Sequence, residues 1–379
     1  HPDTWESENP KWVSREGHPL WGYPRRDISG SRPRWGTLAY LDHEEDIVPP
    51  DVHLDGTLPW NSLRALARRV IAQLGEPSWY RLRPQHGPGA VSQTGGWDSK
   101  YEFHSWPKKL ERWFPFDWFG DGQLVPDYRP EDRTIPSRLI AVPKSHKGPR
   151  LICAEPIANQ WMQQAIRGWL EGQLSKSLLG RSIDLRSQEN SRNRALQASL
   201  DGKYSTIDLS SASDRLSTRL VEYIFQGSRV LEGFHACRTD YLVQDFSLQH
   251  PKMLRLKKFS TMGSALTFPV QSIVYAILAV WALRLVDGDG FHQRGLRRSF
   301  DQVTVFGDDL IVPTRSLGVI QLVLHECGLK VNTSKTYGGL HFRESCGCDA
   351  FNGVDVTPPR CLQPYDGSPA SMATHIETS

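Results

Sequence analysis

Val303-Thr304-Val305-Phe306-Gly307-Asp308-Asp309-Leu310-Ile311-Val312 sets two adjacent carboxylates at a glycine turn between two apolar runs. Like charges that close repel, and each is costly to take out of water. β-Branched residues on both sides of a Gly-Asp pair predict a β-hairpin. Two readings stay open for this stretch taken alone. One is an ordinary Gly-Asp turn with a solvated second aspartate. The other is a hairpin that offers carboxylate oxygens to a divalent cation such as Mg²⁺.

Working outward from the hairpin, residues 204–214 read as a β-rich run that ends at Asp208 and then turns through small polar residues into a helix past Leu216 and Leu220 to Phe225. A strand-end Asp208 is within reach of a metal. Asp214 is either a second site acid or a first-turn acid of that helix. Lys252, Arg255, Lys257 and Lys258 form a basic cluster ahead of the small-residue stretch 259–267. Such a loop lets a backbone or sugar approach closely, or is simply a tight helix entry. The apolar stretch 264–286 is interrupted by Thr267, Pro269, Gln271, Ser272 and Arg284, and its unbroken part, 273–283, is too short to span a bilayer. It predicts a long buried helix.

Further upstream, residues 138–153 place Arg138, Lys144, Lys147 and Arg150 on and between two apolar strands, with no acid among them. Four gathered cations suit phosphate oxygens, for which the planar arginine fork is well shaped. A solvated basic hairpin is the plainer reading. Two helices are predicted before residue 171, one over 61–74 capped by Asn61 and closed by Gly75, the other over 158–170 with Trp161, Ala165, Ile166 and Trp169 on one face. Downstream, 317–327 predicts an amphipathic helix offering Val319, Leu322, Val323 and Cys327 to the core. A strand and turn carrying Lys335 and a second hairpin over 340–351 follow.

The 379 residues suit one large or two to three closely packed subdomains, and 39% hydrophobic with 23% charged residues describe a globular chain. A net charge of +3 does not announce nucleic acid by itself, so the placing of the cations matters. Six cysteines without a CxxC pair favour a reduced setting over a disulfide framework or a zinc site. The Gly-rich stretch 84–96 lacks the GxxxxGK[ST] pattern of a phosphate loop and reads as a plain loop. Residues 1–56 lack a sustained period and predict irregular structure; the polar stretch after Thr357 predicts a poorly ordered tail. A first residue His1 reads as the start of a fragment.

Taken in order, the signals fit phosphoryl transfer. Asp208, Asp308 and Asp309 could hold two metals, the cations from Arg138 to Arg150 could neutralise a triphosphate, and Lys335 could protonate the leaving group. The array resembles the palm of a viral RNA-dependent RNA polymerase, and more narrowly the levivirus-type replicase of single-stranded RNA bacteriophages. The motifs that carry the resemblance are Arg138-x5-Lys144-x2-Lys147-x2-Arg150, Asp208-Leu-Ser-Ser-Ala-Ser-Asp214, Thr261-Met-Gly-Ser264 with Thr267-Phe268, Phe306-Gly-Asp-Asp309, and Phe342-Arg-Glu-Ser-Cys-Gly347 followed by Phe351-x-Gly-Val-Asp-Val-Thr-Pro358.

The resemblance implies an α+β right-hand polymerase using Mg²⁺ or Mn²⁺ and NTPs on an RNA template, in the cytoplasm of a bacterial host and without a membrane. It implies an N-terminal region with part of the fingers over 1–135, and fingers with a basic NTP-entry hairpin over 136–200. It puts the palm at 201–340 with a fingers insertion at about 228–258, a palm/thumb hairpin at 341–358, and a disordered or truncated tail at 359–379, so that the thumb is reduced or missing. It makes Asp208 and Asp308 metal ligands assisted by Asp309, and Lys335 the general acid. Asp214 becomes the sensor of the ribose 2′-hydroxyl, with Ser260, Gly263 and Thr267 lining the sugar and template pocket. Arg343 and Glu344 would support the growing RNA end. Gln271 stands where many RNA polymerases use Asn to bond the sugar-sensing Asp, so that contact must differ here. Host translation elongation factors and a ribosomal protein are implied partners. A reverse transcriptase, or a truncated replicase that only binds RNA, are the competing readings. Phe306-Gly307 and Asp214 argue against the former, the intact aspartates against the latter.

Overall fold

The computed structural model describes residues 58–93, 98–103, 105–120, 134–145, 148–246, 248–288, 293–339 and 341–358. The expectations for 1–56 and for the tail, and the position of Lys147, lie outside the described residues. Helices and mostly antiparallel sheets are both present, the α+β mixture predicted from the sequence.

A long helix organises the main core. α7 (Thr267–Asp287) is buried from Thr267 to Arg284 except at Phe268. Its composition alone would let it cross a membrane, but 89% of its most apolar window is buried inside the protein. Because it is apolar all round, it must be enclosed on every side. α1 (Trp60–Ile71), α8 (Gln293–Gln302) and α9 (Leu317–Glu326) pack on it, as does the sheet described next. Trp281 meets Trp60 with ring centroids 5.5 Å apart, and its indole donates to Ser62 Oγ at 2.8 Å.

The central sheet has the order β6-β7-β3-β8, built from β3 (Tyr204–Ser210), β6 (Thr304–Phe306), β7 (Asp309–Pro313) and β8 (Lys330–Val331). All its pairings are antiparallel. A second sheet, β2-β1-β4-β5, combines β1 (Ser137–Ser145), β2 (Gly148–Ala154), β4 (Tyr241–Val243) and β5 (Met253–Arg255) over a small core of its own that includes Leu139, Ala141, Leu151 and Cys153. The third, β11-β10-β9, is formed by β9 (Phe342–Ser345), β10 (Cys348–Phe351) and β11 (Val354–Asp355) and rests on α3 (Glu189–Asp201).

Several boundaries differ from the sequence reading. α1 begins before Asn61, with Pro59 as its cap residue. The helix predicted over 158–170 runs from Ile157 to Leu174 as α2. β3 continues past Asp208 to Ser210, so Asp208 lies within the strand rather than at its end. The single helix expected after Asp208 is two: a turn, α4 (Ala212–Arg215), and α5 (Thr218–Phe225), with Leu216 extended between them. The break has a local cause, since Ser217 caps α5 by accepting a hydrogen bond from Leu220 N at 3.2 Å. In α9, Leu322 is 46% exposed, and Ile320 and Leu324 join the expected Val323 in the core. Val323 and Cys327 are buried and Val319 packs against the core as expected, so Leu322 is the one of the four that faces outward.

Candidate active site

The central sheet brings the separated aspartates together by register. β3 pairs with β7 so that Asp208 stands directly opposite Asp309, and β6 pairs with β7 so that Phe306 stands opposite Asp309. Directly opposed residues of an antiparallel pair share a face with their Cβ atoms roughly 4.5–5.5 Å apart. Gly307 and Asp308 are the two residues of the turn. Gly307 has φ +63°, and a Cβ there would lie 2.6 Å from the Phe268 ring, so only glycine fits both the backbone and the space. Its N–H donates to Ser272 Oγ at 3.1 Å, which ties the turn to α7.

Each acid has its own surroundings. Asp308 is exposed at the tip. Asp309 is partly buried, and burial, then the Asp308 charge, and more weakly Asp208 push its carboxyl up to about 6. The Cys346 N–H donating to Oδ2 at 3.2 Å opposes this. Asp208 Oδ2 accepts from Asn332 Nδ2 at 2.7 Å, and its carbonyl accepts from Asn332 N at 2.9 Å. Lys335 Nζ lies 3.2 Å from Glu344 Oε1. Burial pulls the Lys335 pKa down, but the hydrogen bond and charge of Glu344, with Asp208 and Asp309 beyond, outweigh it and leave the ammonium above the ordinary lysine value.

This donor set fits a hard divalent cation. It is oxygen-only, and burial and the Asp308 charge leave Asp309 with a net charge penalty. Among the described residues no three His, Cys, Asp or Glu side chains form a complete metal cage. Mg²⁺ does not require one, because it is commonly held by one or two carboxylates plus substrate phosphates.

The start of α7 packs on the Gly307 turn through Phe268 and Ser272, and the loop before it leads into that contact. Ser260 and Thr267 join their hydroxyls at 2.8 Å, and Thr267 Oγ1 also contacts Thr261 O at 2.6 Å. At Gly263 a Cβ would sit 1.7 Å from Cys153 O, and Cys153 N donates to Met262 O at 3.1 Å. The loop is therefore stitched to β2. Gln271 is 5% exposed and its Oε1 is buried with no partner among the described residues. No hydrogen bond joins it to Asp214. The partner of Asp214 is Lys258, whose Nζ lies 3.0 Å from Oδ1 and whose side chain is fully buried.

On the β1–β2 hairpin, Val142 faces Arg150 and Arg138 faces Ala154. Strand alternation thus puts Arg138 and Arg150 on one face, opposite to the face of Leu139, Ala141, Leu151 and Cys153 that fills the small core. Lys144 belongs to β1.

One expected role is not supported by position. Arg343, expected beside RNA, is fully buried, and its guanidinium donates to the carbonyls of Tyr204 at 2.7 Å, Gly339 at 2.8 Å and Phe342 at 2.7 Å. It ties β9 to the start of β3. Glu344, its neighbour, is part-exposed beside Lys335. Four residues at the site were missed in the sequence: Asn332, Cys346, Lys258 and Glu155. Glu155 is 1% exposed and accepts hydrogen bonds from Gln163, Thr239 and Thr261. Its signal was faint, an acid placed directly after an apolar strand.

The family model "RNA replicase, beta-chain" matches residues 120–374. The RNA-directed RNA polymerase beta chain of Enterobacteria phage fr is 34% identical over 220 residues, 58% of this chain and 36% of that protein. The corresponding subunit of Escherichia virus Qbeta is 32% identical over 232 residues, 61% of this chain and 36% of that protein. For Escherichia phage MS2 the values are 33% over 234 residues, 62% and 39%. The chain thus spans little more than a third of the length of these relatives. A solved RNA-dependent RNA polymerase of a human picobirnavirus superposes with a TM-score of 0.45 at 12% identity, over 80% of this chain and 61% of that one, too loosely to carry weight.

Proposed function

The chain belongs to the RNA replicase beta-chain family, and on that premise we propose that it carries the fingers and palm of a right-hand RNA-directed RNA polymerase. In this reading it copies single-stranded phage RNA from NTPs by two-metal-ion nucleotidyl transfer, in the cytoplasm of the bacterial host. The observation that supports it best is the Asp208–Asp309 register across β3 and β7, with Asp308 on the turn next to Asp309.

Asp208 and Asp308 are the principal metal ligands and Asp309 assists. Bound there, Mg²⁺ or Mn²⁺ ions would supply Lewis acidity at the attacking hydroxyl and the leaving pyrophosphate. Asn332 fixes one oxygen of Asp208, and Cys346 N–H steadies Asp309. Arg138, Lys144, Lys147 and Arg150 bind the triphosphate. Lys335, held protonated by Glu344, exchanges that partner for the pyrophosphate and gives up its proton there. Asp214, Ser260, Gly263, Thr267 and Gln271 receive the ribose. Host translation elongation factors and a ribosomal protein are the proposed partners, by the same family resemblance.

The test is ribonucleotide incorporation on a short RNA template with and without Mg²⁺. Metal-dependent, template-directed incorporation is expected; incorporation that persists in chelator would remove the metal reading.

Two further results are expected. Arg150→Ala should raise the KM for NTP by about tenfold with little change in kcat, because a hydrogen bond to a charged group is worth about 1.5–3 kcal/mol. Arg150 is exposed, so folding is untouched. A normal KM would return the hairpin to a solvated surface. The second result is a melt. The raised Asp309 pKa means that the folded state binds more protons than the unfolded chain from about pH 4 to pH 6, so this group's contribution to stability falls as pH rises through that window. A cation that replaces the proton relieves the penalty. The gain in Tm on adding Mg²⁺ should therefore be larger at about pH 7.5 than at about pH 5. Equal gains at both would dissociate the metal from Asp309.

A further inference from the structure

We infer that Lys258 is the positioning residue for ribose selection, holding one oxygen of Asp214 so that the other is presented to the sugar; this rests on the reading of Asp214 as the sugar sensor. Lys258 has no exposed side-chain surface, and its Nζ lies 3.0 Å from Asp214 Oδ1. Taking an ammonium out of water costs several kcal/mol, and well-packed apolar residues stabilise a core as well as a buried ion pair does. Stability alone therefore gives little reason to place a lysine here. Control of a carboxylate does.

The backbone around Lys258 is unusually well fixed. Lys258 bridges Ser217 in antiparallel fashion, with Thr218 N donating to Lys257 O at 3.0 Å and Phe259 N to Leu216 O at 2.8 Å. Arg238 donates to Lys258 O and Phe259 O, both at 3.0 Å, and is itself held by Asp240 at 2.7 Å. The acid is fixed from its own side too. Ser211, at φ +52°, turns the chain out of β3, and Asp214 N donates to Ser211 O at 3.0 Å. The ammonium and the carboxylate therefore meet as two braced groups.

Asp214 is 7% exposed, and Oδ2 makes no hydrogen bond to any described residue. Gln271 does not reach it. Among the described residues, Lys258 is the one side chain hydrogen-bonded to its carboxylate. A carboxylate paired to an ammonium can only accept, so the ligand must bring the donor. A 2′-hydroxyl does so and a 2′-hydrogen does not, which makes the Lys258–Asp214 pair a device for preferring ribonucleotides. Without Lys258 the carboxylate is free to rotate.

The experiment compares GTP with dGTP on the same preparation of the full chain, by equilibrium competition in the presence of Mg²⁺ and by kcat/KM for single-nucleotide incorporation. The ratio between the two substrates cancels the fraction of folded protein, so a merely structural role would leave it unchanged. Lys258→Met is expected to lower the preference for GTP about tenfold or more, the value of one hydrogen bond to a charged group, and Lys258→Arg to restore part of it. Where Lys258→Met is poorly soluble, Lys258→Gln is read in the same way. A wild-type ratio in the Lys258 variants, with preference lost in Asp214→Ala, would overturn the inference and leave the sensor reading intact. An unchanged ratio in Asp214→Ala as well would overturn both.

Discussion

Asp308→Asn is expected to lower nucleotide addition by at least about 10²- to 10³-fold, the loss of several kcal/mol of charge stabilisation, while the protein melts no lower than wild type. The two halves of that result have one cause. Asp308 is exposed on a two-residue turn, and the turn is held by Gly307 N–H on Ser272 and by the Phe268–Phe306 ring contact at 4.9 Å. The carboxylate takes no part in holding it. Removing the charge relieves Asp309, whose carboxyl is raised partly by Asp308. Asparagine keeps the size and one oxygen but gives up the charge that a hard cation needs. Rapid-quench extension of a primer on RNA, together with a thermal melt, reads both effects. Extension within about threefold of wild type would rule out Asp308 as a metal ligand at the reacting centre.

How far the sequence carried the reading depended on what kind of residue was involved. The hairpin at 306–309 was legible because a glycine that needs positive φ sits between two β-branched runs. The α7 helix was legible as a long apolar run whose interruptions at Thr267, Gln271 and Arg284 pointed to a buried helix, and it is buried from Thr267 to Arg284 except at Phe268. Long polar side chains were not legible. Lys258 lay in a basic cluster with Lys252, Arg255 and Lys257, and nothing local distinguishes the one that is fully buried from the three that are not. Arg343 was expected beside RNA from the family resemblance, and nothing local marks it as buried. Hydrophobic period assigns apolar faces; the fate of an ammonium or guanidinium is decided by a distant acceptor, here Asp214 or the Tyr204 carbonyl.

Sheet order was equally hidden. The pairing of β3 with β7 brings Asp208 against Asp309 across one hundred residues of chain, and only the ordered series of motifs hinted at it. Asn332, which fixes Asp208, reads in the sequence as one more polar turn residue after a short strand. The candidate site therefore came from the acids that the sequence marks, and the groups that orient those acids came from the structure.

Glu155 offers the sharpest separation between two substitutions at one position. Glu155→Ala is expected to cost about 3 kcal/mol or more, because it strands three buried donors at once, each bond to a charged group being worth about 1.5–3 kcal/mol and the sum non-additive. Gln163 Nε2 donates to Oε2 at 2.9 Å, Thr239 Oγ1 also donates to Oε2, and Thr261 Oγ1 donates to Oε1 at 2.6 Å. All three donors belong to buried residues. Glu155→Gln, by contrast, can keep its oxygen toward Gln163 and Thr239 and donate from its amide to the Thr261 hydroxyl, which is able to accept. Two of the three bonds are then kept and the third is reversed, which leaves the Thr261 hydroxyl proton to find a new acceptor, so the cost should be about 1–2 kcal/mol, below that of alanine. Urea titration with unchanged m-value measures the difference. Equal losses for the two variants would mean that the charge of Glu155, rather than its hydrogen-bond count, holds the loop. The same pair carries into function. Thr261 lies in the loop that Gly263 and Cys153 stitch to β2, so Glu155→Ala removes one side-chain tie of that loop, next to the strand that carries Arg150, and loosens it. Triphosphate and ribose recognition would then lose their fixed spacing, and NTP affinity should fall in Glu155→Ala while remaining near wild type in Glu155→Gln.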